Sequence, residues 1–172
     1  MPLKIRTYGD KILRQKAETI SEISPETLSL IEKMKISMDR ANGVGLAAPQ
    51  IGFSIRLIIV LFGLEENLPE LKALINPEII HHNDVKNNAE EGCLSVPGIT
   101  EDVERWTEVT VKAISEQGEK MEFTAKNLTA RIIQHEIDHL DGILFIDHLS
   151  PLKRDIIKRR LKKQQKKETV SE

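Results

Sequence analysis

The chain has 172 residues, of which 40% are hydrophobic and 30% charged, a balance that excludes a disordered chain and suits one globular domain. A single cysteine, Cys93, excludes an intramolecular disulfide, and the longest apolar run, residues 57–64, is too short to span a bilayer. The formal charge of −2 hides an asymmetry, because residues 152–168 carry nine Lys or Arg against two acids, a basic tail on an acidic body.

The opening stretch MPLKIRTYGDKIL has no apolar run of the kind a secretory signal needs, so a cytoplasmic protein without membrane association is expected. Aromatic residues are only 3%, which leaves Ile, Leu, Val and Ala to build the core. The first helix is predicted to start with Ser24 as N-cap and Pro25 at the first helical position, with Ile23 and Leu28 spaced for a hydrophobic staple. Leu28, Ile31, Met34 and Met38 keep helical spacing for its core face, and Asn42-Gly43 supplies the stop. After GVGLAAPQIG comes a strand-like RLIIVLF (56–62), and LKALINPEII predicts two short strands broken at Asn76-Pro77. VTVKAIS and KMEFTA alternate apolar and polar residues around EQGE, a hairpin with Gly118 in its turn. Asn127 is expected to cap a second helix that runs through QHEIDHL to Gly142. Ser150-Pro151 opens a third, basic helix, with Leu152, Ile156, Ile157 and Leu161 as its apolar seam. Strands fall between helices without βαβ alternation, so the fold class expected is α+β with mostly antiparallel sheets around the second helix. Residues 1–150 are read as a single domain, to which the basic helix and tail, 151–172, belong.

The second helix carries the chemistry. His135 and His139 stand one turn apart on one face and can present both imidazoles to one ion, while Glu136 is placed to touch a metal-bound water. H-E-x-x-H on a helix is the pattern of metallohydrolases, with the glutamate as general base. Leu128 and Ile132 share the face of His135, so a histidine interrupts an apolar stripe, and a buried imidazole is costly unless it coordinates or hydrogen-bonds something. A catalytic site of this type needs a third ligand and an open position. Gly142 fits the longer HExxHxxGxxH pattern, but Phe145 stands where its last histidine would be. Glu168 and Glu172 lie in the basic tail and are poor candidates. Two remain open on the residues alone: His148, beyond the helix stop, and Cys93 in EEGCLSVPG, where Gly92 and Pro97-Gly98 suggest a backbone able to aim the sulfur.

Three segments, GVGLAAPQIG (43–52), EGCLSVPG (91–98) and QHEIDHLDG (134–142), together resemble the three signature motifs of the peptide deformylases, in that family's order and spacing. The resemblance implies a small α+β enzyme that removes the formyl group from the N-terminal methionine of new polypeptides. It implies Cys93, His135 and His139 as ligands of one divalent ion, most simply Fe²⁺, with Zn²⁺, Ni²⁺ or Co²⁺ as possible substitutes. It implies Glu136 as acid–base and Gln50 with the Leu94 N–H as oxyanion donors. The edge at Gly43, Val44 and Gly45 would take the peptide as an added strand, and Leu128 and Ile132 would wall the methionine pocket. Arg105 is read as a structural ion pair, perhaps with Glu91, and Asp138 and Asp141 as solvated helix positions. Formyl-methionyl nascent chains are the expected partners, and the basic helix is a candidate ribosome contact through phosphates without base specificity. The competing readings are a zinc endopeptidase with a different third ligand, and a binding protein with a closed structural metal site.

Overall fold

The computed structural model describes residues 2–171, so Glu172 lies outside the described residues. Seven strands and three α-helices follow in the order α1 (Pro25–Arg40), β1 (Gly45–Ala47), β2 (Leu57–Phe62), β3 (Glu70–His82), β4 (Lys86–Cys93), β5 (Val96–Trp106), β6 (Glu108–Ile114), β7 (Lys120–Lys126), α2 (Asn127–Leu140) and α3 (Pro151–Ser171). These strands pair with one another antiparallel throughout, in a five-stranded sheet of order β1-β2-β3-β6-β7 and a separate β4-β5 hairpin. The α+β class is as the sequence led one to expect.

The unbroken apolar run of β2 has a physical reason: both faces of the sheet are covered. Alternate residues point to opposite sides, so Leu57 and Ile59 enter the core under α1, with Ile31, Met34 and Met38. Ile58 and Val60 enter the core under α2, with Ile133, Ile137 and Leu140. The hairpin packs elsewhere. Val96, Ile99 and Val103 of β5 meet Phe145, Ile146 and Leu149 from the turn after α2, together with Ile157 and Leu161 of α3. Helix α2 therefore lies between the sheet and the hairpin, and both reach its ligand-bearing face.

Several local expectations need correction. Ser24 caps α1 by accepting from the Thr27 N–H, but Leu28 is 41% exposed, and Leu30 fills the core face instead. Asn76-Pro77 does not end a strand: β3 runs through it with a register shift, and Asn76 takes a φ of 51° while its side chain pairs with the main chain of Ile20. Asn127 caps nothing with its side chain. The carboxylate of Glu65 accepts from the Leu128 N–H instead, at 2.7 Å, supplying a negative charge at the positive end of α2. The seam of α3 is narrower than its pattern suggests, since Ile157 and Leu161 are buried but Leu152 and Ile156 are exposed. No helix among the described residues is long and apolar enough to cross a membrane.

Candidate metal centre and substrate cleft

Cys93 ends β4 at the tight Leu94-Ser95 turn, where the ladder with β5 shifts register. That turn brings its sulfur over α2. One ligand atom each of Cys93, His135 and His139 lies within 4.8 Å of the others, and the sulfur is 3.3 Å from His139 Nε2. His148, the other candidate, is directed elsewhere and bonds Asp138 at 2.8 Å.

The surroundings suit one cation. His135 Nδ1 meets Glu91 Oε1 at 2.8 Å, which fixes the tautomer and leaves Nε2 for coordination. Burial opposes a charge on His135, but the bonds to Cys93 and Glu91 outweigh it and raise its pKa. His139 is pushed the other way, by burial first and then by the His135 charge, into the neutral form a ligand needs. Glu136 is 4% exposed and its Oε2 has no hydrogen-bond partner. Burial lifts its pKa to about 7, with the Glu91 charge adding to the effect and His135 opposing it. A carboxylate near neutrality with an unused oxygen is suited to proton transfer, and a cation beside it would favour its ionised form.

Glu91 organises the ring. Arg105 grips it with two bonds of 2.9 Å, and Arg131 adds one of 2.6 Å. Burial works against its charge, yet Arg105 and His135 hold its pKa at about 2. The expected Arg105–Glu91 pair is therefore present. Asp138 is no solvated position, because it pairs with Arg105 at 2.6 Å and with His148. Arg131 is buried, and it bonds the carbonyls of Asn87 and Val103, one on each hairpin strand. These roles are not legible in the sequence, since a charged residue among apolar neighbours on a helix gives no hint of a partner 40 positions away.

Beside the cluster opens a cavity of about 500 Å³. Gly43, Val44 and Gly45 line one side, Gln50 and Leu94 the inner end, and Leu128, Ile132, His135 and Glu136 another wall. β1 pairs only with β2, so its outer edge is open among the described residues. Gly45 has a further reason to be glycine: a Cβ there would stand 2.7 Å from Glu136 Oε1 and 2.9 Å from Ile132 Cγ2. Gln50 is 1% exposed, its Oε1 accepting from Ala47 N–H at 2.9 Å and its Nε2 reaching Ser95 Oγ at 3.1 Å and Cys93 Sγ at 3.5 Å.

A Cys/His₂ cluster, a buried carboxylate with a free oxygen and a cleft along an open strand edge make up the equipment of a mononuclear metallohydrolase acting on an extended chain. Residues 2–155 match the family model of polypeptide deformylases. A peptide deformylase of Halothermothrix orenii is 50% identical over 155 residues, covering 90% of this chain and 98% of the relative. One from Thermodesulfovibrio yellowstonii is 48% identical over 160 residues, 93% and 96% of the two chains. The crystal structure of a peptide deformylase from Legionella pneumophila superposes with a TM-score of 0.89 at 41% identity, covering 98% of each chain. The chain belongs to the polypeptide deformylase family. It is a metal-dependent hydrolase that removes the N-terminal formyl group from nascent formylated polypeptides, and its Cys/His/His cluster supports a single ion.

Proposed function

We propose that Cys93, His135 and His139 hold the ion and that Glu136 carries the protons of deformylation. The observation that carries this reading is the convergence of those three ligand atoms beside a buried carboxylate with an unpartnered oxygen. A divalent ion, when bound there, supplies Lewis acidity that activates water and polarises the formyl oxygen. The chain's own residues do the rest. Glu136 takes the proton of the attacking water as its oxygen bonds to the formyl carbon. Gln50 Nε2 and the Leu94 N–H donate to the oxyanion that develops, in a site shielded from solvent. Glu136 then returns a proton to the nitrogen as the C–N bond breaks, releasing formate and a free amino terminus. The peptide lies along Gly43, Val44 and Gly45 as an added strand, and its methionine side chain rests on Leu128 and Ile132.

Fe²⁺ is the proposed ion. One thiolate and two imidazoles suit iron, zinc, nickel and cobalt alike, so the preference for iron rests on the resemblance to the family. We assign residues 1–150 to the catalytic domain and 151–172 to a basic helix and tail belonging to it, a reading supported by the burial of Ile157 and Leu161 against β5. The outer face of α3, with Arg159, Lys162, Lys163, Lys166 and Lys167 exposed, is proposed to meet ribosomal RNA by phosphate contact in the cytoplasm. Glu136→Gln tests the assignment of the base. Protein prepared without oxygen should keep its metal, while turnover of a formyl-methionyl peptide falls by roughly 10²-fold or more. A variant that keeps most of its rate would move the base elsewhere, and one that loses its metal would make Glu136 a ligand.

A further inference from the structure

We propose that Ser95 is the positioning residue for the Gln50 amide: its hydroxyl holds one amide hydrogen so that the other is aimed at the formyl oxygen. The inference rests on the reading of Gln50 as an oxyanion donor. Ser95 is 0% exposed, and each of its polar groups has a different partner. Its carbonyl accepts from the Tyr8 N–H at 2.7 Å, its own N–H points to Cys93 Sγ at 3.4 Å, and its Oγ lies 3.1 Å from Gln50 Nε2.

The orientation of the Gln50 amide follows from the donors around it. A main-chain N–H can only donate, so the Ala47 N–H requires the carbonyl oxygen of the amide on its side. The Gln50 main chain is fixed as well, because its carbonyl accepts from the Arg6 N–H at 2.6 Å. Nε2 must then face Ser95 and Cys93. Its two hydrogens diverge within the amide plane, and the Ser95 oxygen takes one of them. The other is directed at Cys93 Sγ, a long contact of 3.5 Å, and so faces the Cys93 end of the cleft.

A hydroxyl suits this task better than a carboxylate. It accepts the hydrogen without bringing a second negative charge next to the place where the oxyanion forms. Without it, one buried N–H would lose its partner, and the amide would be held only by the bond to Ala47 and the long contact to Cys93 Sγ at 3.5 Å. The main-chain contact to the Cys93 sulfur survives replacement by alanine, so Ser95→Ala isolates the hydroxyl from any support of the ligand.

The test is a double-mutant cycle on zinc-loaded protein, comparing wild type, Ser95→Ala, Gln50→Ala and the double variant on a formyl-methionyl peptide. Gln50→Ala should lower kcat on the order of 10²-fold, as for loss of other oxyanion donors. Ser95→Ala should lower kcat about 10-fold with KM within about twofold, and should add less than about twofold once Gln50 is already alanine. Zinc content should stay unchanged, and the Gln50 side-chain amide protons should exchange faster with water in Ser95→Ala by NMR. Additive losses, an unchanged kcat in Ser95→Ala, or loss of zinc from that variant would each overturn the role given to Ser95. An unchanged kcat in Gln50→Ala would instead overturn the oxyanion reading itself, and the role of Ser95 with it.

Discussion

Replacing Glu91 with glutamine removes one negative charge that Arg105, Arg131 and His135 all meet, at 2.9, 2.6 and 2.8 Å. The cost follows by two routes. The carboxyl is held at about 2 against an ordinary 4.5, and at 1.36 kcal/mol per unit this corresponds to about 3 kcal/mol. Breaking a buried ion pair by removing one partner costs about 3–5 kcal/mol, so the two agree. In a chain of this size about 1 kcal/mol moves Tm by 2–4 °C, so Glu91→Gln should melt roughly 6–12 °C lower at pH 7. A depressed carboxylate contributes stability that is present above its unfolded pKa and is lost as pH falls through its folded one. The gap between the proteins should therefore narrow between about pH 4.5 and 2. His135 also loses its charged acceptor, so zinc affinity measured by chelator competition should fall about 10–100-fold. A Tm within about 2 °C of wild type at pH 7, together with unchanged zinc affinity, would show that Glu91 does not hold the ring together.

Gly45→Ala should push Glu136 from its place and lower kcat by about 10-fold or more while metal content holds, because small misplacements at the reacting centre are costly. If the variant turns over like wild type, the contact between Gly45 and Glu136 gives way freely. If iron is the native ion, peroxide should inactivate the iron form faster than the nickel form, and equal loss from both would count against iron. On α3, Leu161 is buried, so cutting the chain after Arg159 would remove docking residues along with the charges. Changing Arg159, Lys162, Lys163, Lys166 and Lys167 to glutamine is the cleaner perturbation. It should weaken ribosome co-sedimentation and flatten its salt dependence while sparing hydrolysis of a short peptide, and equal co-sedimentation across a salt series would make the helix a solvated face only.

The helices and the β6-β7 hairpin were legible because their signals are local: Ser24-Pro25 before an apolar period, or alternation around Gly118. The β4-β5 hairpin was not, although it carries Cys93. Its more buried positions do alternate, but three of the five are charged: Glu101 and Arg105 beside Ile99 and Val103 on β5, and Glu91 on β4. An alternation built from charges looks like a solvated loop until the partners are known. The same limit applied to Asp138, whose meaning depends on Arg105, 33 residues away. Histidine spacing placed the two imidazoles on one face, but on the residues alone the choice between Cys93 and His148 needed a turn that no periodicity specifies. The resemblance to the family supplied that choice, and the register shift after Gly92 gives its geometric basis.

Deformylation here turns on one thiolate and two imidazoles sharing a single ion, as proposed above, and X-ray absorption at the metal edge of zinc-loaded protein measures this directly. One sulfur at about 2.3 Å, with imidazole scattering from two histidines, is the predicted shell. A shell of nitrogen and oxygen alone would contradict it and remove Cys93 from the centre.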